Sequence, residues 1–145
     1  MQSQRLTAQT ISVRLPPEAP PRTTPLTPEL VSKTPVAIQL CRYRSVFTRP
    51  RLERCAHVSS RAIVRDLVRQ LNLLPTLPRG AVACPDETGA RIDAHMIYRG
   101  APQLVVHIGI SGCRVVWTKK VVRSAAYDQG QRLTSELERL TSARR

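Results

Sequence analysis

The sequence predicts an α+β fold: an antiparallel sheet of about four to five strands, meander-like, with two helices covering one face. Three observations carry this. Apolar and polar residues alternate at Val36–Cys41 and again across residues 90–110, the period of a half-buried strand. Ile63, Val64, Leu67, Val68 and Leu71 recur on a helical stripe. Leu133, Leu137 and Leu140 repeat at i, i+4 and i+7 near the end of the chain.

Residues 1–35 contain seven of the twelve prolines (Pro16, Pro17, Pro20, Pro21, Pro25, Pro28 and Pro35) and no glycine, cysteine or aromatic residue. Proline fixes φ and removes an amide donor, so this stretch is expected to be a disordered Pro/Thr-rich tail or linker. A folded domain is expected over residues 36–143. Its first strand is Val36, Ile38 and Leu40 alternating with Ala37, Gln39 and Cys41. Arg42–Cys55 reads as a basic connection, with five arginines against Glu53. Ser59 or Ser60 caps a helix at about residues 60–72, with Arg61, Arg65, Asp66, Arg69 and Gln70 on its wet face. Pro75 and Pro78 end it.

Residues 81–84 read as a short strand. Strands over 90–98 and 103–110 then form a hairpin about Arg99-Gly100-Ala101-Pro102. One face carries Ile92, Ala94, Met96 and Tyr98, paired with Leu104, Val106, Ile108 and Ile110. Arg114–Thr118 continues the meander, and Val121–Arg123 fits either a strand or a loop. The last element is a helix at about residues 128–142, with Asp128 as its cap.

The chain has 145 residues, enough for one core, and that core must be aliphatic, since there are one Phe, one Trp and three Tyr. Net charge is +13; only Lys33, Lys119 and Lys120 are lysines, which leaves 20 arginines among 23 basic residues. Two causes produce such an excess: a GC-rich genome, or an anionic surface or macromolecule as partner. No apolar run approaches the roughly 18 residues of a membrane span. Arg5 and Arg14 are not followed by an apolar leader segment, so the expectation is either a cytosolic protein with reduced thiols or a true start upstream of Met1.

Cys84 and Cys113 bracket the predicted hairpin, so they can meet as a disulfide in an oxidising compartment. Four cysteines allow three pairings, and the most economical adds Cys41 with Cys55. Free, buried thiols at Cys41 and Cys55 remain the alternative. One hairpin register sets His95 across from His107, which with Cys84 and Cys113 would make a tetrahedral zinc set. The spacing lacks any tight ligand pair, so no metal and no cofactor is expected. No cysteine–histidine signature or phosphate loop is present, and Asp86 and Glu87 sit in a turn sequence, so no enzyme is expected. The best candidate binding surface is Arg42, Arg44, Arg49, Arg51 and Arg54, with Tyr43 and Phe47 for stacking, extended by Arg61, Arg65 and Arg69.

Leu40-Cys41-Arg42-Tyr43, Leu71-Asn72-Leu73-Leu74-Pro75, Cys84-Pro85-Asp86-Glu87-Thr88-Gly89, Tyr98 and Gly112-Cys113 occur in that order. In this the chain, over about residues 36–142, resembles a group of uncharacterised actinobacterial secreted proteins and lipoproteins. The resemblance implies an extracytoplasmic location with Cys84 and Cys113 joined, and implies no known activity. Asp86 directly follows Pro85 where that group often has its acid one residue later, a place Glu87 occupies here. The expectation is a non-catalytic, disulfide-stapled extracytoplasmic binding or structural module. The alternative is a cytosolic basic protein that binds nucleic acid through its arginines.

Overall fold

The computed structural model describes residues 23–45, 49–77, 84 and 86–142. Eight elements follow one another: β1 (Ala37–Arg44), β2 (Arg51–Val58), α1 (Arg61–Asn72), β3 (Arg91–Ile97), β4 (Leu104–Gly109), β5 (Val115–Trp117), β6 (Val122–Ser124) and α2 (Asp128–Ser142). The strands form one sheet in the order β2-β1-β3-β4-β5-β6, with every neighbouring pair antiparallel. The architecture is α+β, with six strands among the described residues rather than four or five.

One face of the sheet and the apolar stripes of both helices make the core. Ile38 and Leu40 of β1 share that face with Ile92, Ala94 and Met96 of β3, Val106 and Ile108 of β4, and Val116 of β5. Against them lie Val64, Leu67, Val68 and Leu71 of α1, and Leu133 and Leu137 of α2. Ile63, assigned to the α1 stripe by spacing, is exposed. The Ser60 hydroxyl accepts from the Ile63 amide as the N-cap, and the Leu73 amide donates to the Arg69 carbonyl at the other end. Asp128 does not cap α2 but occupies its first turn: the Tyr127 carbonyl accepts from the Gln131 amide, so the helix starts one residue earlier than an Asp128 cap requires.

The main correction concerns Arg42–Cys55, expected as a connection. Arg42–Arg44 ends β1, and Arg51–Val58 is the edge strand β2. An edge strand that is largely exposed buries little, so it needs no apolar alternation and its charged side chains hide the strand period. All of β2 except Ala56 and Val58 is exposed. β1 and β2 pair from Ile38–Val58 to Arg44–Arg51, with a bulge where Glu53 is the extra residue. Val122–Ser124 is a strand, and of the strand expected over 81–84 only Cys84 lies within the described residues.

The histidine register is also corrected. His107 pairs with Asp93, and His95 pairs with Val105, so the two histidines do not face each other.

Part of the proline-rich stretch is folded against the domain. Leu30 and Val31 are buried in the core. Asn72 holds Val31 from both sides: the Val31 amide donates to Asn72 Oδ1 at 2.9 Å, and Asn72 Nδ2 donates to the Val31 carbonyl at 2.8 Å. The Tyr98 hydroxyl donates to the Lys33 carbonyl at 2.8 Å, and buried Arg123 donates to the Pro28 carbonyl at 2.6 Å. Prolines prevent ladder hydrogen bonds but leave carbonyls free to accept from side chains, and this segment is held in large part that way. Residues 1–22 lie outside the described residues.

Candidate functional site

The β1–β2 hairpin collects the basic residues. In its register Arg42 is directly opposite Arg54, and Arg44 directly opposite Arg51. Directly opposed residues have Cβ atoms about 5 Å apart, and like charges placed so repel. Along β1 the two pairs are two residues apart, roughly 7 Å, and on the same side of the strand. The bulge supplies the one carboxylate here: Glu53 Oε2 is 3.2 Å from Arg42 Nε. Arg44, Arg49, Arg51 and Arg54 are exposed.

The other predicted arginines lie elsewhere. Arg61 starts α1 beyond the far end of β2 from Arg51, about 20 Å along an eight-residue strand. Arg61 and Arg65 are exposed on the helix. Arg69 donates to Asp66 Oδ1 at 2.7 Å. It also lines a cleft of about 360 Å³ between α1 and α2, with Gln70, Arg132 and Glu136. Gln70 bridges the cleft by donating to Asp66 and Glu136. The Arg69 hydrogen bond lowers the Asp66 pKa, against a smaller opposing effect of burial.

Tyr43, expected to stack on bases beside the hairpin arginines, lies on the other side of the sheet from them. Alternation places it on the opposite face of β1 from Arg42 and Arg44, and the Arg91 guanidinium covers its ring at 4.8 Å from the centroid. Phe47 lies outside the described residues.

The sheet face turned away from the helices carries an array that the sequence reading missed. Directly opposed residues run Cys55, Cys41, Asp93, His107, Trp117 and Val122 across all six strands. Asp93 is the buried centre, with its side chain 7% exposed. Its Oδ1 accepts from Arg91 Nε at 3.0 Å and meets His107 Nδ1 at 2.7 Å. The His107 ring stacks on Trp117, with centroids 5.1 Å apart. Tyr43, Arg91, Asp93, His107 and Trp117 thus form one continuous chain of contacts over four strands. The available signal was alternation: Arg91, Asp93 and His95 occupy the positions opposite Ile92, Ala94 and Met96.

Both cysteine pairs are disulfides. Cys41–Cys55 joins β1 to β2 between directly opposed residues, with Cα atoms 4.1 Å apart. Cys84–Cys113 ties the segment before β3 to the β4–β5 turn. Glu87 fixes the same corner: its Oε1 accepts from the Gly89 amide at 2.9 Å and from the Ser111 hydroxyl at 2.9 Å. Gly112, at φ +57°, leaves the space that Glu87 occupies. Glu87 is therefore a structural clasp in the turn.

No family model, curated protein or solved structure matches the chain.

Proposed function

We propose that this chain is a non-catalytic binding module that acts outside the cytoplasm, akin to the actinobacterial secreted proteins and lipoproteins it resembles. The observation that supports this is the pairing of all four cysteines in two disulfides. Structural disulfides persist in oxidising compartments and are rare where glutathione and thioredoxin keep thiols reduced. Cys41–Cys55 fastens the largely exposed edge strand β2 to β1, and Cys84–Cys113 fastens the corner between the β3 approach and the β4–β5 turn.

The test is the intact mass of the protein taken from its own cells and alkylated at once, without and then with reductant, followed by peptide mapping. Cys84–Cys113 and Cys41–Cys55 peptides should appear linked before reduction and take up four alkyl groups after it. Four alkylated thiols without reductant would overturn the reading.

A further inference from the structure

We propose that the cleft between α1 and α2 binds a free α-amino acid as its zwitterion, with the ammonium against Glu136 and the carboxylate against Arg132. This goes beyond the compartment reading and does not depend on it.

The first argument is the order of groups along the cleft. The Ser124 amide donates to the Pro75 carbonyl at 2.9 Å, so the chain entering α2 lies at the end of α1. Gln70 reaches Glu136 further along α2, and the two helices therefore run antiparallel. Asp66 and Glu136 then stand at one end of the cleft, Arg69 and Arg132 in its middle, and Leu73 with Gln129 at the other end. On each helix the acid and the base are about one turn, roughly 5.4 Å, apart. An α-amino acid carries the matching three parts: an ammonium, a carboxylate and a side chain.

The second argument is which charges are already engaged. Asp66 is held by Arg69 at 2.7 Å, a contact that lowers its pKa and keeps it ionised. Arg132 and Glu136 are spaced i, i+4 on one helix, where opposite charges ordinarily pair. Here Glu136 Oε2 instead accepts from Gln70 Nε2 at 3.0 Å, and the same nitrogen donates to Asp66 at 2.7 Å. A neutral amide leaves the Glu136 charge uncompensated. Among the described residues Arg132 has no ion-pair partner. The cleft thus presents one open anion and one open cation a turn apart.

The third argument is size and charge balance. The cleft has a volume of about 360 Å³, at the small end of the roughly 300–1,000 Å³ of small-molecule sites. Its walls carry two acids and two bases. A lone anion drawn to Arg132 meets Glu136 one turn away, and a lone cation drawn to Glu136 meets Arg132. A zwitterion satisfies both. The groups sit on two helices rather than on loops, which keeps their spacing fixed.

The experiment uses the oxidised full chain and titration calorimetry with L-leucine and L-glutamine, chosen to match Leu73 and Gln129. Each is compared with analogues that lack one charge: 4-methylpentanoate and 3-methylbutylamine for leucine, 4-carbamoylbutanoate and 4-aminobutanamide for glutamine. Each analogue should bind at least about tenfold more weakly than its parent amino acid, since hydrogen bonds to charged groups contribute about 1.5–3 kcal/mol. Arg132→Gln and Glu136→Gln should each weaken the amino acid by a similar factor. Arg65→Gln, exposed on α1 outside the cleft, should leave binding unchanged. Binding of either amino acid that is lost with its analogues and with both cleft variants supports the site. No binding of either amino acid, equal binding of an analogue, or equal binding by a cleft variant overturns it. The analogue series needs no variant, so it decides even where a substitution disturbs the fold. The thiol map of the cellular protein is a separate readout, so a failed compartment reading and a failed cleft site give different results.

Discussion

Substituting Gly130 with alanine tests the packing of α2 because two principles pull in opposite directions. Gly130 lies in the first turn of α2 and is buried. In an unhindered helix, glycine to alanine is favourable by about 1 kcal/mol. Here an added Cβ would land on the backbone of Ala125, against its Cα, C and O atoms. Ala125 is fully buried, and its amide donates to the Arg114 carbonyl at 2.8 Å, so it cannot yield as a flexible side chain would. The helix must move instead, and Leu133, Thr134 and Leu137, all nearly or fully buried, move with it. Overpacking of a well-filled core costs about 1–3 kcal/mol, and a backbone obstacle belongs at the upper end. The net expectation is destabilisation by about 2 kcal/mol after the propensity gain is subtracted. Urea unfolding of the oxidised protein, followed by far-UV circular dichroism, measures it. A variant as stable as the parent, or more stable, would show that α2 does not sit against Ala125 as described.

Three other outcomes follow from the same structure. Asp93→Ala removes the acceptor shared by Arg91 and His107; hydrogen bonds to charged groups contribute about 1.5–3 kcal/mol, and because both partners are partly exposed the expected total loss is about 2 kcal/mol. Trp117, the single tryptophan, stacks on His107, so its fluorescence in the folded state should change with that variant, and an unchanged spectrum would argue against the array. Burial raises the Tyr98 pKa, so the unfolded chain loses the phenolic proton first: stability is complete below about pH 10 and falls as pH rises through the folded value. Tyr98→Phe should shrink that alkaline loss in melting curves, and an identical pH profile would refute the assignment. Removing both cysteines of a pair should cost about 3 kcal/mol for Cys41–Cys55 and about 3.6 kcal/mol for Cys84–Cys113, from closed spans of 14 and 29 residues. The reverse order of losses in denaturant titrations would mean that loop length does not set their contributions.

Much of the core was legible because burial on one face leaves a periodic trace. Ile92, Ala94 and Met96, and Leu67 and Leu71, had to be apolar at the spacing of their elements. The edge strand left no such trace. Arg51, Leu52, Glu53 and Arg54 are exposed, and a bulge breaks their alternation, so they read as a connection. The helix-free face was hidden for another reason. Arg91, Asp93 and His107 look like ordinary wet positions in sequence, and only the register shows that they converge. The cysteine pairs were legible: Cys84 and Cys113 bracket the hairpin, and the most economical of the three pairings adds Cys41 with Cys55, which the β1–β2 register makes direct opposites. The arginines were legible as a group, whereas their division between hairpin and helix needed the fold.

Asn72 gives the domain a start that its first strand does not mark. Its side-chain amide offers one donor and one acceptor to Val31, as the backbone of a neighbouring strand would. A chain shortened to begin at Val36 would keep every helix and strand and still strip this amide of both partners while uncovering the core where Leu30 and Val31 rest. Buried polar groups left without partners cost about 1–3 kcal/mol. The smallest unit expected to fold well therefore includes a proline-rich strap that belongs to no element, and a boundary drawn by secondary structure would cut through it.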